Sequence, residues 1–228
     1  MQRIGAGMLC LAGLVGCAAS GPHARGIHYQ EGDAQGSPRV ESLPSLDVAE
    51  STLTAEMRMA RLLSAECLNL APPHRPNATT NEAIEQWSDA ELKRWMQHKH
   101  ASAEAARREL DKAAVQSPRQ RIMAGAMVGL VYEDVARNLL ALPTPTELIS
   151  EPEIAAMYVD LLRSQATPYL VQARAAYTAC AGNAEQVAEL HHWSSFCLNR
   201  EDALPPLGLS EQAKPQSGEV TVSVSKLP

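Results

Sequence analysis

The sequence predicts an all-α fold, an antiparallel array of about five to six helices over residues 47–203. Three observations carry this. Apolar residues recur every three or four positions through most of that span, the spacing of one helix face. Hydrophobic residues make up 45% of the chain, yet it holds one Phe and five Tyr, so the apolar bulk is mainly Ala, Leu, Val and Met, a helix-forming composition overall. Prolines and capping residues punctuate the periodic stretches where helices should end and restart.

A first helix is expected over 47–70, with Leu53, Met57, Ala60, Leu63, Cys67 and Leu70 on one face, stopped by Pro72-Pro73. A second helical stretch runs from 81 to 116. Its Ser88-Asp89-Ala90-Glu91 has capping-box spacing, which places a joint near Trp87. Leu92, Trp95, Lys99, Ala103, Ala106, Leu110 and Ala113 share a stripe there, and Glu104, Arg107, Arg108, Asp111 and Lys112 form a charged face expected to be solvated. Ser117-Pro118-Arg119-Gln120 opens the third helix: serine caps, proline takes the first helical position and glutamine reaches back. Ile122, Met123, Ala126, Met127, Leu130, Val131 and Leu139 give it a wide apolar face. Gly125 and Gly129, four apart, mark close approach of a neighbour, while Arg121, Glu133 and Asp134 argue against a membrane span. Pro143-Thr144-Pro145 ends it.

Ser150-Glu151-Pro152-Glu153 repeats the box spacing before a fourth helix, in which Met157, Leu161 and Leu162 are expected to face inward. Thr167-Pro168 should break or kink it before Leu170, Ala173, Ala176, Tyr177 and Cys180. Gly182 fits a C-cap and Asn183 an N-cap for a last helix carrying Val187, Leu190, Trp193 and Cys197, ended by Pro205-Pro206. Residues 204–228 read as an extended or disordered tail, in which 219–225 alternate like a strand with no sheet to join.

The opening of the chain sets its expected address. Arg3 is the only charge in residues 1–16, and residues 4–16 are small or apolar, too short a run for a membrane-spanning helix. Leu14-Val15-Gly16-Cys17 resembles the lipobox of bacterial lipoproteins. The resemblance implies a signal peptide over 1–16, cleavage before Cys17, and diacylglycerol plus a third acyl chain such as palmitate on that residue. Two or three chains hold a protein on a bilayer far more firmly than one. Ala18 and Ala19, with no aspartate after the cysteine, resemble the outer-membrane sorting pattern. Cleavage would leave 212 of 228 residues and, with Arg3 gone, move the net charge from −6 to −7. That acidity argues against nucleic acid as a partner. Residues 17–46 then form a lipidated, flexible tether, too polar to offset the entropy of ordering. The lipobox also makes Asn77-Ala78-Thr79 an idle sequon.

Cys67, Cys180 and Cys197 remain after processing, and an oxidising periplasm permits one disulfide among three pairings. Cys180–Cys197 closes the shortest loop. A straight last helix would carry Cys197 about 20 Å along its axis from the turn, so the bond requires a helix break, expected at Trp193-Ser194-Ser195. The alternative is three unpaired, buried thiols.

Val128-Gly129-Leu130-Val131-Tyr132 resembles the centre of a tetratricopeptide helix, and Ala173-x-x-Ala176-Tyr177 is similar to the second helix of such a unit, although Ala124 stands where tryptophan is expected and no clean repeat follows. The order Trp87, Trp95, Lys99, Gly129-x-x-Tyr132, Pro143-x-Pro145, Tyr158, Ala166-x-Pro168, Cys180 and Trp193-x-x-x-Cys197 resembles the helical segment of tetratricopeptide-containing envelope lipoproteins of myxobacteria. The resemblance implies a TPR-like array and an envelope protein partner.

No catalytic, cofactor or metal set emerges. His98 and His100 lie about 200° apart on a helix, whereas metal-binding helices space ligands by three or four. His191 and His192 diverge, and His23 and His28 lie in the tether. Ser223-x-x-Lys226 lies in the tail rather than at the start of a buried helix. The expected function is a non-enzymatic, membrane-anchored, periplasm-facing outer-membrane lipoprotein, a helical protein-interaction or scaffold module of the cell envelope. The rival is a small-ligand-binding or enzymatic helical domain on the same anchor, with a pocket near Trp87, Trp95 or His98.

Overall fold

A computed structural model of the chain describes residues 38–44, 50–75 and 81–207; these are all-α, with no strand among them. Cys17, His23, His28, the sequon and the strand-like 219–225 lie outside the described residues.

The first helix, α1 (Ala55–Leu68), starts later than the expected residue 47. Thr54 caps it: the backbone is extended and Oγ1 accepts the Met57 N–H at 3.2 Å. Met57, Ala60, Ser64 and Cys67 form its buried edge. Residues 38–44, assigned above to the tether, are folded here. They hold a 3₁₀ turn at Val40–Ser42, with Pro38 and Pro44 buried on either side of it.

The expected joint near Trp87 is a π-helical turn, Ser88–Leu92, between α2 (Asn81–Trp87) and α3 (Lys93–Ala114). The capping box does not form, because Trp87 and Lys93 both keep helical angles and the helix widens instead of stopping. On α3, Lys99, Ala103, Ala106, Leu110 and Ala113 are buried.

The next helix, α4 (Pro118–Leu140), begins at the Ser117 cap, whose Oγ accepts the Gln120 N–H at 3.2 Å. The Gln120 side chain does not reach back. Its Oε1 instead takes the Thr54 hydroxyl at 2.8 Å, tying the starts of α1 and α4 together. All seven residues of the expected apolar face are buried, and Glu133 and Asp134 are buried with them.

After a short α5 (Thr146–Ile149), α6 (Pro152–Glu185) runs 34 residues without interruption. Three expectations fail along it. Glu151, not Ser150, is the N-cap residue, and it makes no side-chain cap bond. Pro168 sits inside the helix: both it and Ser164, whose carbonyl loses its donor, are exposed, so water can satisfy the vacated group. Gly182 and Asn183 are helical rather than caps, and Asn183 Nδ2 donates to Ala179 O at 2.7 Å. The chain turns later, through Gln186, Val187 and the 3₁₀ turn Ala188–Leu190, into α7 (His191–Asp202).

That turn supplies the break a Cys180–Cys197 bond requires, at 186–190 rather than at Trp193-Ser194-Ser195. The two cysteines are bonded, with Cα atoms 6.1 Å apart, and Cys67 is a free, buried thiol. Helix α4 packs closely on α6. A Cβ on Gly129 would lie 2.3 Å from Tyr177 Cε1, and one on Gly125 3.3 Å from Cys180 Cβ. Glycine at 129 leaves the space that the Tyr177 ring occupies beside α4. Among the described residues no helix is long and apolar enough to cross a membrane.

Candidate functional site

The interior between α4, α6 and α7 is polar at its centre. Glu133 is fully buried and its carboxylate gathers three partners. Arg200 Nη2 lies 2.6 Å from Oε1, Arg137 Nε donates to Oε1 at 2.6 Å, and the Tyr177 hydroxyl donates to Oε2 at 2.7 Å. Arg137 also donates to Ala203 O at 2.9 Å, which fixes the end of α7. Burial, then the adjacent Glu133 carboxylate, pushes the Tyr177 hydroxyl well above its usual pKa. Burial alone would lower Arg200, but Glu133 and Tyr177 outweigh it and raise it. Glu133, Tyr177 and Arg200 are buried, Arg137 reaches the surface, and the bonds among the four lock α4, α6 and α7 together.

A second ionic pair lies between α1, α3 and α4. Lys99 is 1% exposed, on the otherwise apolar stripe of α3. Its Nζ donates to Cys67 O at 2.6 Å and Leu70 O at 3.1 Å and meets Asp134 Oδ2 at 2.5 Å. All three ammonium protons therefore have acceptors, two of them carbonyls at the C-terminal end of α1, where the helix dipole favours a cation. Asn138 Nδ2 donates to the same Oδ2 at 3.0 Å. Burial raises the Asp134 carboxyl above its ordinary value even with Lys99 pulling it down. Burial likewise pushes the Cys67 thiol up, which makes it a poor nucleophile.

Asp134 and Asn138 form one wall of a cavity of about 570 Å³. The C-terminal end of α1, with Leu68 and Asn69, and the arm Pro38, Arg39 and Val40 form the others. Trp87, Trp95 and His98, where the rival reading expected a pocket, do not line this cavity. Trp95 Nε1 donates to Leu70 O at 3.1 Å, and Trp87 is buried.

Part of the expected solvated face of α3 is engaged. Tyr132 of α4 donates to Glu104 Oε1 at 2.8 Å and accepts from Arg107 at 3.1 Å. Burial is the main cause raising the Tyr132 hydroxyl to about 12, against the opposing pull of Arg107. The Tyr169 ring lies 6.2 Å from that of Tyr132, and its hydroxyl is 3.2 Å from His100 Nδ1.

The last feature is a surface. No residue of α6 before Ala166 is buried. Met157 and Leu161, expected to face inward, are 70% and 56% exposed. The inward face is carried instead by Ala166, Leu170, Ala173 and Tyr177. At about 100° per residue, Ile154, Met157 and Leu161 fall within roughly 60° of one another and about 150° from that face. The exposed Ile149 of α5 and Val171 further along α6 extend the apolar exposure. Thus α6 carries two apolar stripes, and the described residues cover one.

Sequence reasoning found Cys180, Cys197 and the glycine pair but passed over Lys99, Glu133, Asp134 and Arg200 as site residues. The available signal was position. Lys99 sits within the α3 stripe, Glu133 and Asp134 within the apolar run of α4, and Arg200 one turn beyond Cys197. Comparisons with protein-family models, curated proteins and solved structures find no match to this chain.

Proposed function

We propose that this chain is a non-enzymatic lipoprotein of the cell envelope, held on the outer membrane by acyl chains on Cys17 and facing the periplasm, whose helical domain is a protein-interaction or scaffold module. The observation that carries the interaction reading is the outer stripe of α6. Ile154, Met157 and Leu161 sit on a helix whose opposite face already fills the core, so neither folding nor the array needs them apolar. A helix-in-groove or helix-on-helix contact would bury them. The successive contacts of α1 with α3, α3 with α4 and α4 with α6 support a TPR-like, antiparallel array that presents such a face. The interior supports it as well: the Glu133 and Lys99 clusters are internally paired, as suits a rigid support. The Cys180–Cys197 bond is consistent with an oxidising compartment.

The test is acyl labelling and crosslinked capture from envelopes, comparing the natural chain, Cys17→Ser and a Met157→Asp/Leu161→Asp double variant. The natural chain should take up labelled palmitate and retain a reproducible partner. Cys17→Ser should lose the label, and the double variant should lose the partner while staying folded. Equal labelling of Cys17→Ser would refute the anchor, and capture that survives the double variant would refute the surface.

A further inference from the structure

We propose that the cavity between the 38–40 arm, the C-terminal end of α1 and α4 binds a small zwitterion, with its ammonium on Asp134 and its carboxylate toward Arg39. The volume, about 570 Å³, lies in the range of small-molecule sites. The inner wall is rich in acceptors. Both hydrogen bonds to Asp134 fall on Oδ2, and among the described residues Oδ1 has no hydrogen-bond partner. Asn138 uses its amide nitrogen on Asp134, which leaves its carbonyl oxygen as an acceptor. The C-terminal end of α1 adds the negative pole of its dipole to the same wall.

These features fit a group with several donors and one positive charge. Lys99 cannot turn toward an anion, since its three protons are held by Cys67 O, Leu70 O and Asp134. The carboxylate of Asp134 is buried and shares its cation with two carbonyls, so an incoming ammonium would supply solvation that the fold withholds. Arg39, on the arm that lines the cavity, is exposed and brings the only cation among the lining residues, and its guanidinium suits a carboxylate. The site would hold a free amino acid or a short peptide that carries both charges. It is separate from the α6 stripe, and its failure would leave that surface untouched.

Changing the ligand rather than the buried wall keeps the test free of folding failure. Calorimetric titration of the full chain, purified in detergent, uses three probes: alanyl-alanine, its N-acetyl derivative and its C-terminal amide. Alanyl-alanine should bind saturably. Loss of the ammonium by acetylation should weaken binding at least about tenfold, the scale of one charged hydrogen bond. The amide should bind less tightly than the free acid, and Arg39→Ala should weaken the acid while leaving the amide unchanged. No saturable heat with alanyl-alanine up to about 10 mM would overturn the proposal. So would equal binding of the acetylated peptide, or an Arg39→Ala loss shared by acid and amide.

Discussion

Gly129→Ala and Gly182→Ala are the same chemical change on two helices, and the structure gives them opposite signs. At Gly129 the added methyl would lie 2.3, 2.6 and 2.7 Å from three ring carbons of Tyr177, against about 3.5–4.0 Å for carbon atoms in contact. The ring must move by about 1 Å or more, but it is fully buried and its hydroxyl is fixed on Glu133 at 2.7 Å. Overpacking of this kind costs about 1–3 kcal/mol. Displacing a hydrogen bond to a buried charge adds about 1.5–3 kcal/mol. Against these, alanine gains about 1 kcal/mol over glycine in a helix interior. The net loss is about 1.5–5 kcal/mol. At Gly182 nothing lies within 4 Å of the new Cβ, so the propensity gain stands alone and the variant should be more stable by about 0.5–1 kcal/mol. Urea unfolding followed by circular dichroism, with the disulfide kept intact, measures both. A Gly129→Ala chain as stable as the natural one would refute the α4–α6 register.

Other outcomes follow from the same contacts. Arg200→Met leaves Glu133 buried with Arg137 as its only cation and should cost about 3–5 kcal/mol, whereas Glu133→Gln combined with Arg200→Met should cost less than the sum of the two changes; urea midpoints of the three variants decide this. Replacing Cys180 and Cys197 by alanine opens a loop of 17 residues and should cost about 3 kcal/mol, read as a lower melting midpoint that reductant no longer shifts. Tyr132 favours its neutral form in the folded state, so its contribution is complete below pH 10 and lost as pH rises toward about 12. Ultraviolet titration should show late tyrosinate ionisation to which both Tyr132 and the buried Tyr177 contribute, and Tyr132→Phe should reduce its amplitude by one tyrosine; an unchanged curve would contradict the placement of the Tyr132 hydroxyl.

Local signals proved legible where one physical cause decides the outcome. The Ser117 cap, the buried stripe of α3 and the glycine pair of α4 each depend on spacing within one segment. The reading failed where two segments decide together. Pro168 and Gly182 look like breakers, but on an exposed face of a helix anchored by Leu170, Ala173, Tyr177 and Cys180 their penalties are small. Met157 and Leu161 look like core because apolar spacing states that a face exists, not whether the chain itself covers it. The ionic interior was hidden for a related reason. A charge on an apolar stripe stands out as an anomaly, but pairing Lys99 with Asp134, or Glu133 with Arg200 67 positions away, requires the packing of α3, α4 and α7.

The uncovered stripe of α6 makes the central claim open to one direct measurement. A photo-crosslinking residue placed at Met157 in the intact chain should, in cells, yield a discrete adduct on irradiation. The same residue at the exposed Arg108 of α3 should yield none, and Leu161→Asp should abolish the Met157 adduct. No adduct at Met157, or the same adduct from both positions, would contradict an interaction surface on α6.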